Sequence, residues 1–252
     1  METVLKIEGL RKYFGGVKAV DGINLSARKK QLTLLIGPNG SGKTTTINSV
    51  TGLYKPTAGT VVFKDKEITG WPMHRVYEVG LVRSFQLALP FHGLSVLENL
   101  LVAGKDNPGE SLFFGLVRHR WLKREKEILD KAFHVIDALD LNDCWNAPMT
   151  TLSTGHLKLV EIGRALMANA EMVILDEPIC GVNPTLADTV FSYISRSRED
   201  FNLTFLIVEH RLDIALKYAD YVYVLDQGQV ISEGSVDHVV NDPHVREVYL
   251  GW

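Results

Sequence analysis

An α/β fold, a layered sheet with helices on its faces, is what this 252-residue sequence predicts. Three observations carry that reading. The runs Leu32–Ile36, Met172-Val173-Ile174-Leu175 and Thr204–Val208 are continuously apolar, the texture of strands buried on both faces. Helical segments precede the second and third runs, the alternation that builds a parallel sheet. The first run ends on a glycine-rich octapeptide at 37–44, Gly-Pro-Asn-Gly-Ser-Gly-Lys-Thr, and residues 45–50 after it can start a helix.

Taken in order, residues 4–7 and 23–27 read as short strands before the buried run at 32–36. Gly59-Thr60-Val61-Val62-Phe63 is a further strand, with Lys64-Asp65-Lys66-Glu67 as a polar turn. From about residue 87 to 150 strand signals fade, and this stretch reads as a helical insertion into a core of 1–86 and 151–252. Within it, Asp106-Asn107-Pro108-Gly109 marks a loop. Leu129, Ala132, Phe133, Ile136 and Leu139 recur at helical spacing, a stripe expected to pack into the core. Ser153 has the character of a helix N-cap, and the helix it opens runs to about Asn169. Residues 221–225, 226–229 and 230–232 read as strand, turn and strand.

Composition narrows the function classes. The 27 Lys+Arg and 30 Asp+Glu nearly balance, giving −3 overall, so no basic surface points to nucleic acid. Cys144 and Cys180 follow no metal or disulfide spacing and are expected to be buried, reduced thiols. The first residues lack the basic and apolar regions of a signal peptide, and no apolar stretch approaches bilayer-spanning length. The expectation is a soluble chain that can still dock on a membrane protein. The histidines at 74, 92, 119 and 134 show no metal-like spacing.

The octapeptide carries the chemistry. Gly37, Gly40 and Gly42 let backbone N–H groups converge on phosphate oxygens. The helix N-terminus that follows adds partial positive charge. Lys43 reaches toward β- and γ-phosphates, and the Thr44 hydroxyl toward Mg²⁺. Asp176 and Glu177 end the apolar run at 172–175. Solvated acids at a strand end would look the same. Beside a phosphate loop, however, Asp176 can hold Mg²⁺ and Glu177 can orient or deprotonate water. Glu209 and His210 follow the run at 204–208, placing His210 toward the same crevice.

Together these residues resemble an ABC transporter nucleotide-binding subunit over essentially the whole chain. Residues 37–44 match its Walker A motif, and Met172–Asp176 with Glu177 match Walker B and the catalytic glutamate. Gln86 matches the Q-loop, 181–184 the D-loop, and His210 the switch histidine. Phe14 matches the aromatic that stacks on adenine, with Tyr13 as its rival. Leu152-Ser153-Thr154-Gly155-His156 occupies the signature position; Thr154 and His156 depart from the usual Leu-Ser-Gly-Gly-Gln, while Ser153 and Gly155 are kept. Gly181-Val182-Asn183-Pro184 departs from the commoner Ser-Ala-Leu-Asp of the D-loop. Within the family the chain is most similar to the LivG-type ATPases of branched-chain amino-acid importers. The supporting segments are 80–86, 94–99, 112–127 and 245–251. Urea-import and lipopolysaccharide-export ATPases share parts of this pattern, and the long segment at 105–124 favours the amino-acid group over the lipopolysaccharide group; a soluble ABC ATPase outside transport is the further alternative.

The resemblance implies an ATPase with a phosphate-loop core, an antiparallel β subdomain and a helical subdomain. It implies that ATP is bound by Phe14, Gly37, Pro38, Asn39, Gly40, Ser41, Gly42, Lys43, Thr44 and Thr45, and Mg²⁺ by Thr44, Gln86 and Asp176. Glu177, His210 and Lys43 take the catalytic roles. Ser153, Thr154, Gly155 and His156 would face a nucleotide held by a second ATPase subunit, identical or paralogous, in a head-to-tail dimer. Its partners would be transmembrane permease subunits at the cytoplasmic face of the cell membrane.

Overall fold

The computed structural model describes residues 2–84, 90–105 and 118–250. Its strands form two sheets. The first is antiparallel, in the order β2-β1-β4-β5: β1 (Thr3–Phe14), β2 (Val17–Arg28), β4 (Ala58–Phe63) and β5 (Lys66–Glu67). β1 and β2 run well beyond the expected strands at 4–7 and 23–27. Register shifts interrupt their pairing between Ile7 and Leu10 and again beyond Leu10, so the polar half of each strand never shows clean alternation. The expected polar turn at 64–67 is shorter in fact. Lys64 and Asp65 turn the chain at φ 50° and 61°, as a two-residue hairpin requires, and Lys66 and Glu67 pair back on Phe63 and Val62.

The second sheet has the order β10-β9-β3-β8-β7-β6. β3 (Leu32–Ile36) lies between β8 (Thr204–Val208) and β9 (Tyr221–Asp226), parallel to both. β7 (Met172–Asp176) runs parallel to β8, and β6 (Leu81–Arg83) parallel to β7. β10 (Gln229–Gly234) closes one edge antiparallel to β9. Every residue of β3, β7 and β8 is buried, which is why those segments carry no polar alternation. β6 spans three residues, too few for periodicity to reveal. Leu35 and Asp176 both pair with Val208. The carboxyl ends of β3, β7 and β8 are therefore level, and the residues that follow them emerge at one sheet edge, where open α/β sheets bind ligands.

One apolar cluster joins the sheets, with Leu5, Ile7 and Phe63 of the first beside Leu35, Ile174 and Leu206 of the second. The Tyr223 hydroxyl stitches them further, accepting from the Ser26 amide at 3.0 Å and donating to the Ser26 carbonyl at 3.2 Å.

The described residues fall into two compact units: one within 1–86, 171–180 and 197–252, the other within 87–170 and 181–196. The first holds both sheets, α1 (Lys43–Val50) and α2 (Met73–Glu78). The second is helical and contains α3 (Val96–Val102), α4 (Arg118–Ala138) and α5 (Thr154–Met167). Ser95 opens α3 with a reciprocal capping box, its side chain taking the Glu98 amide and the Glu98 carboxylate taking the Ser95 amide. Buried Asn99 accepts from the Phe91 amide at 2.9 Å and donates to the Ser95 carbonyl at 2.9 Å, tying the approach to α3 in place. At Gly163 in α5 an added Cβ would stand 2.7 Å from a Leu100 methyl, so the close approach of α3 and α5 depends on the missing side chain.

The stripe expected at 129–139 divides. Ala132, Ile136 and Leu139 are buried with Ile128 and Val135, whereas Leu129 and Phe133 are exposed. At 100° per residue, the buried face is centred on 128, 132, 135 and 139, and Leu129 and Phe133 sit one step off it. The thiol expectation is corrected as well: Cys144 is half-buried and Cys180 exposed, and both are free. The loop read at 106–109 lies outside the described residues.

Candidate nucleotide site

α1 (Lys43–Val50) begins directly after the glycine loop. Its N-cap is Gly42, which offers no side-chain acceptor, so no side chain caps the first backbone N–H groups. Gly37, Gly40 and Gly42 have φ of 152°, 81° and 102°. A Cβ on Gly37 would lie 2.1 Å from the Leu225 carbonyl oxygen, and one on Gly42 2.4 Å from that of Ala19, while Gly40 has open space around it. Two of the three glycines are thus demanded by the protein's own backbone, and Gly40 by its dihedral alone. The turn between β9 and β10 braces the loop, its Gly228 amide donating to the Ser41 carbonyl at 3.0 Å.

Lys43 curls over this loop. Its Nζ donates to the carbonyls of Gly37 and Pro38, each at 2.8 Å. Burial holds its pKa below the usual lysine value, against the upward pull of the Glu177 and Asp176 carboxylates. Thr44 is exposed and Thr45 half-buried in the first turn of α1, and Asn39 is exposed at the loop tip.

Asp176 ends β7. Its Oδ2 accepts from Arg83 Nη2 at 2.9 Å, in a pair whose side chains are 1% and 7% exposed. Arg83, from β6, also donates to the Asn48 side chain on α1. Burial raises the Asp176 pKa, and the Arg83 guanidinium opposes the rise. Asp176 Oδ1 is buried with no hydrogen-bond partner among the described residues, an acceptor that a hard cation would satisfy. Among the described residues no group of three or more His, Cys, Asp or Glu side chains could hold a metal.

Glu177 adopts φ 51°, a left-handed conformation that costs a non-glycine residue roughly 1–2 kcal/mol. Its amide donates to the Val208 carbonyl at 2.9 Å, and its carbonyl accepts from the Cys180 amide at 3.1 Å. His210 Nδ1 stands 3.8 Å from Glu177 Oε1, with the imidazole about half exposed. The end of β3, the end of β7 and the residues after β8 thus bring together Lys43, Asp176, Glu177 and His210.

Phe14 and Tyr13 separate clearly. The Tyr13 hydroxyl is committed to Asp21 at 2.5 Å. Phe14 is 44% exposed and packs edge-on against Tyr54, with ring centroids 5.3 Å apart. In the helical unit Ser153 caps α5, its Oγ accepting from the His156 amide at 3.3 Å. The His156 ring bonds that same oxygen through Nδ1 at 2.7 Å. Thr154 is exposed and Gly155 buried, and a Cβ at Gly155 would collide with Leu186 at 2.0 Å. Gly181 has φ 74°, and Asn183 caps the following helix by accepting from the Leu186 amide at 2.9 Å. Gln86 lies outside the described residues.

Two partners escaped the sequence reading. Arg83 served there only as part of a similar segment, and Glu209 only as a neighbour of His210. A lone arginine in a three-residue strand and a lone acid after a buried run leave no pattern to detect.

Phosphate-loop nucleoside triphosphatases are the class that this fold and this edge of the sheet define. The ABC transporter family model matches residues 20–180, and the model for branched-chain amino acid ATP-binding cassette transporters matches 229–251. The chain belongs to the ABC transporter family, as one of its ATP-binding, ATP-hydrolysing subunits. It is 46% identical to a probable branched-chain amino acid transport ATP-binding protein LivG of Archaeoglobus fulgidus, over 98% of this chain and 95% of that protein. It is 45% identical to the protein of the same description from Methanocaldococcus jannaschii, over 98% and 97%. Among solved structures, the ADP conformation of an ATP-binding cassette of an ABC transporter matches with a TM-score of 0.86 and 44% identity, covering 100% of both chains. No described helix is long and apolar enough to cross a membrane.

Proposed function

We propose that this subunit powers import of branched-chain amino acids, by closing on ATP with a second ATPase subunit and reopening after hydrolysis. What carries the cargo assignment is similarity along the whole chain to proteins described as LivG, together with the branched-chain amino acid model over 229–251. The chain itself holds no cargo site in this reading. Permease subunits do, and the ATPase pair sits against them on the cytoplasmic face of the membrane.

Phe14 stacks on adenine. The backbone of residues 37–42 and the N-terminus of α1 receive the phosphates, with Pro38, Asn39 and Ser41 shaping the loop and Thr45 extending it. Lys43 exchanges its carbonyl partners for β- and γ-phosphate oxygens and offsets charge as the γ-phosphoryl group leaves. Thr44, Asp176 and Gln86 would hold Mg²⁺, which when bound neutralises developing charge on the phosphates. Asp176 presents Oδ1 for this, because Arg83 occupies Oδ2. Glu177 accepts a proton from the attacking water, and His210 bonds the γ-phosphate. Ser153, Thr154, Gly155 and His156 of a second subunit complete the site across the dimer. Loss of the γ-phosphate removes contacts made in only one of the two states, and this shifts the pair toward open.

The test is reconstitution with the permease subunits in vesicles that also receive the cognate amino-acid-binding protein. MgATP inside should drive uptake of labelled leucine, and Lys43→Ala should abolish it. Uptake of urea instead, or ATP turnover indifferent to any branched-chain amino acid, would overturn the cargo assignment.

A further inference from the structure

Glu209 is the most deeply buried carboxylate near the site, with a fully inaccessible side chain. Among the described residues no lysine or arginine pairs with it, and the His210 ring stands 3.9 Å from its Oε2. Its oxygens are taken up by backbone instead. Oε1 accepts from the Ile179 amide at 3.1 Å, and Oε2 from the His210 amide at 3.1 Å, with the Arg211 amide at 3.5 Å on the same oxygen. Burying an ionised carboxylate is costly, and amide donors offset the cost only in part.

The placement gives this expense a purpose. Ile179 lies two residues past Glu177, on the turn closed by the Cys180 amide on the Glu177 carbonyl. Glu177 stands in a left-handed conformation, φ 51°, that persists only where its surroundings over-determine it. That turn is fastened at two points: the Glu177 amide on the Val208 carbonyl at the end of β8, and the Ile179 amide on Glu209, the residue after it. The other oxygen of Glu209 holds the amide of His210. One carboxylate therefore sets both the turn that aims Glu177 and the backbone that aims His210. The two side chains consequently meet with Nδ1 3.8 Å from Oε1.

We propose that Glu209 is a positioning residue for hydrolysis, which acts through Glu177 and His210 by clamping their two loops together. This rests on the catalytic reading of Glu177 given above. Alanine at 209 frees the Ile179 and His210 amides at once. Glutamine keeps one acceptor but turns an NH₂ group toward amide donors, so it can satisfy only one of the two loops.

The experiment measures ATPase kinetics, ATP affinity and thermal stability for Glu209→Ala, Glu209→Gln, Glu177→Gln and the double variant Glu209→Ala/Glu177→Gln. Glu209→Ala should lower kcat at least about tenfold while leaving the Kd for ATP within about threefold, because the phosphate loop is untouched. Glu209→Gln should fall between it and the parent protein. The double variant should lose less than the two single losses combined, as expected when part of the effect of Glu209 runs through Glu177. If Glu209→Ala is too unstable to measure, the Glu209→Gln comparison stands by itself. A parental kcat per folded molecule in Glu209→Gln and Glu209→Ala, or additive losses in the double variant, would overturn the proposal. A fully active Glu177→Gln would instead remove the reading beneath it, a result distinguishable from either.

Discussion

Lys43 lies buried against the carbonyls of its own loop. Folded onto the carbonyls of Gly37 and Pro38, it has a pKa depressed by burial. The sign follows from linkage. With the folded pKa below the unfolded value of 10.5, the native protein binds fewer protons than the unfolded chain just below that pH. This group's contribution to stability therefore rises as pH climbs toward 10.5. A triphosphate beside Lys43 pushes the pKa back up. ATP binding in the alkaline range should then be accompanied by proton uptake, seen as a buffer-dependent enthalpy in calorimetry, and Lys43→Met should abolish the uptake. Identical enthalpies in buffers of different ionisation heat would contradict this. Glu177→Gln should lower turnover ~10²–10⁴-fold, the usual worth of a general base, while ATP still binds. Steady-state hydrolysis and equilibrium binding on one preparation separate the two effects. His156→Gln should change the ATPase rate only mildly, since Gln can also bond the Ser153 hydroxyl, and a collapse of activity would show that the imidazole is essential.

At the scale of elements, the parallel strands do the positioning. Because β3, β7 and β8 end level, short turns suffice to bring Lys43, Asp176, Glu177 and His210 together. In the helical unit the capping box at Ser95 anchors α3. Ser95→Ala should cost about 1 kcal/mol, measurable as a lowered denaturation midpoint with ATP affinity unchanged. The fully buried strands and the glycine loop were legible in sequence because each is a local signal: an unbroken apolar run, or fixed residue types at fixed spacing. The antiparallel hairpin was legible only in part, because its register shifts erase alternation. Leu129 and Phe133 misled because helical spacing fixes an angular sector but not where its edge lies. Arg83 on Asp176 and Glu209 on the Ile179 amide were not legible at all. Each joins residues far apart in the chain, and neither partner carries a mark of the other. Tyr13 and Phe14 are adjacent, and the bond from Tyr13 to Asp21 distinguishes their surroundings.

For the molecule as a whole, the proposed function makes ATP the joint between two subunits, with each one's phosphate loop completed by the other's Ser153 and Gly155. The kept serine and glycine motivate that claim, and Thr154 and His156 make it specific to this chain. Size-exclusion chromatography with light scattering, run on the Glu177→Gln variant with and without MgATP, tests it most directly. The expected result is the 28.1 kDa chain alone without nucleotide, about twice that mass with ATP, by itself or once its paralogous partner is added, and no change with ATP when Lys43→Ala is added. A variant that binds ATP at its phosphate loop and stays at 28.1 kDa, both alone and mixed with its paralogous ATPase partner, would contradict it.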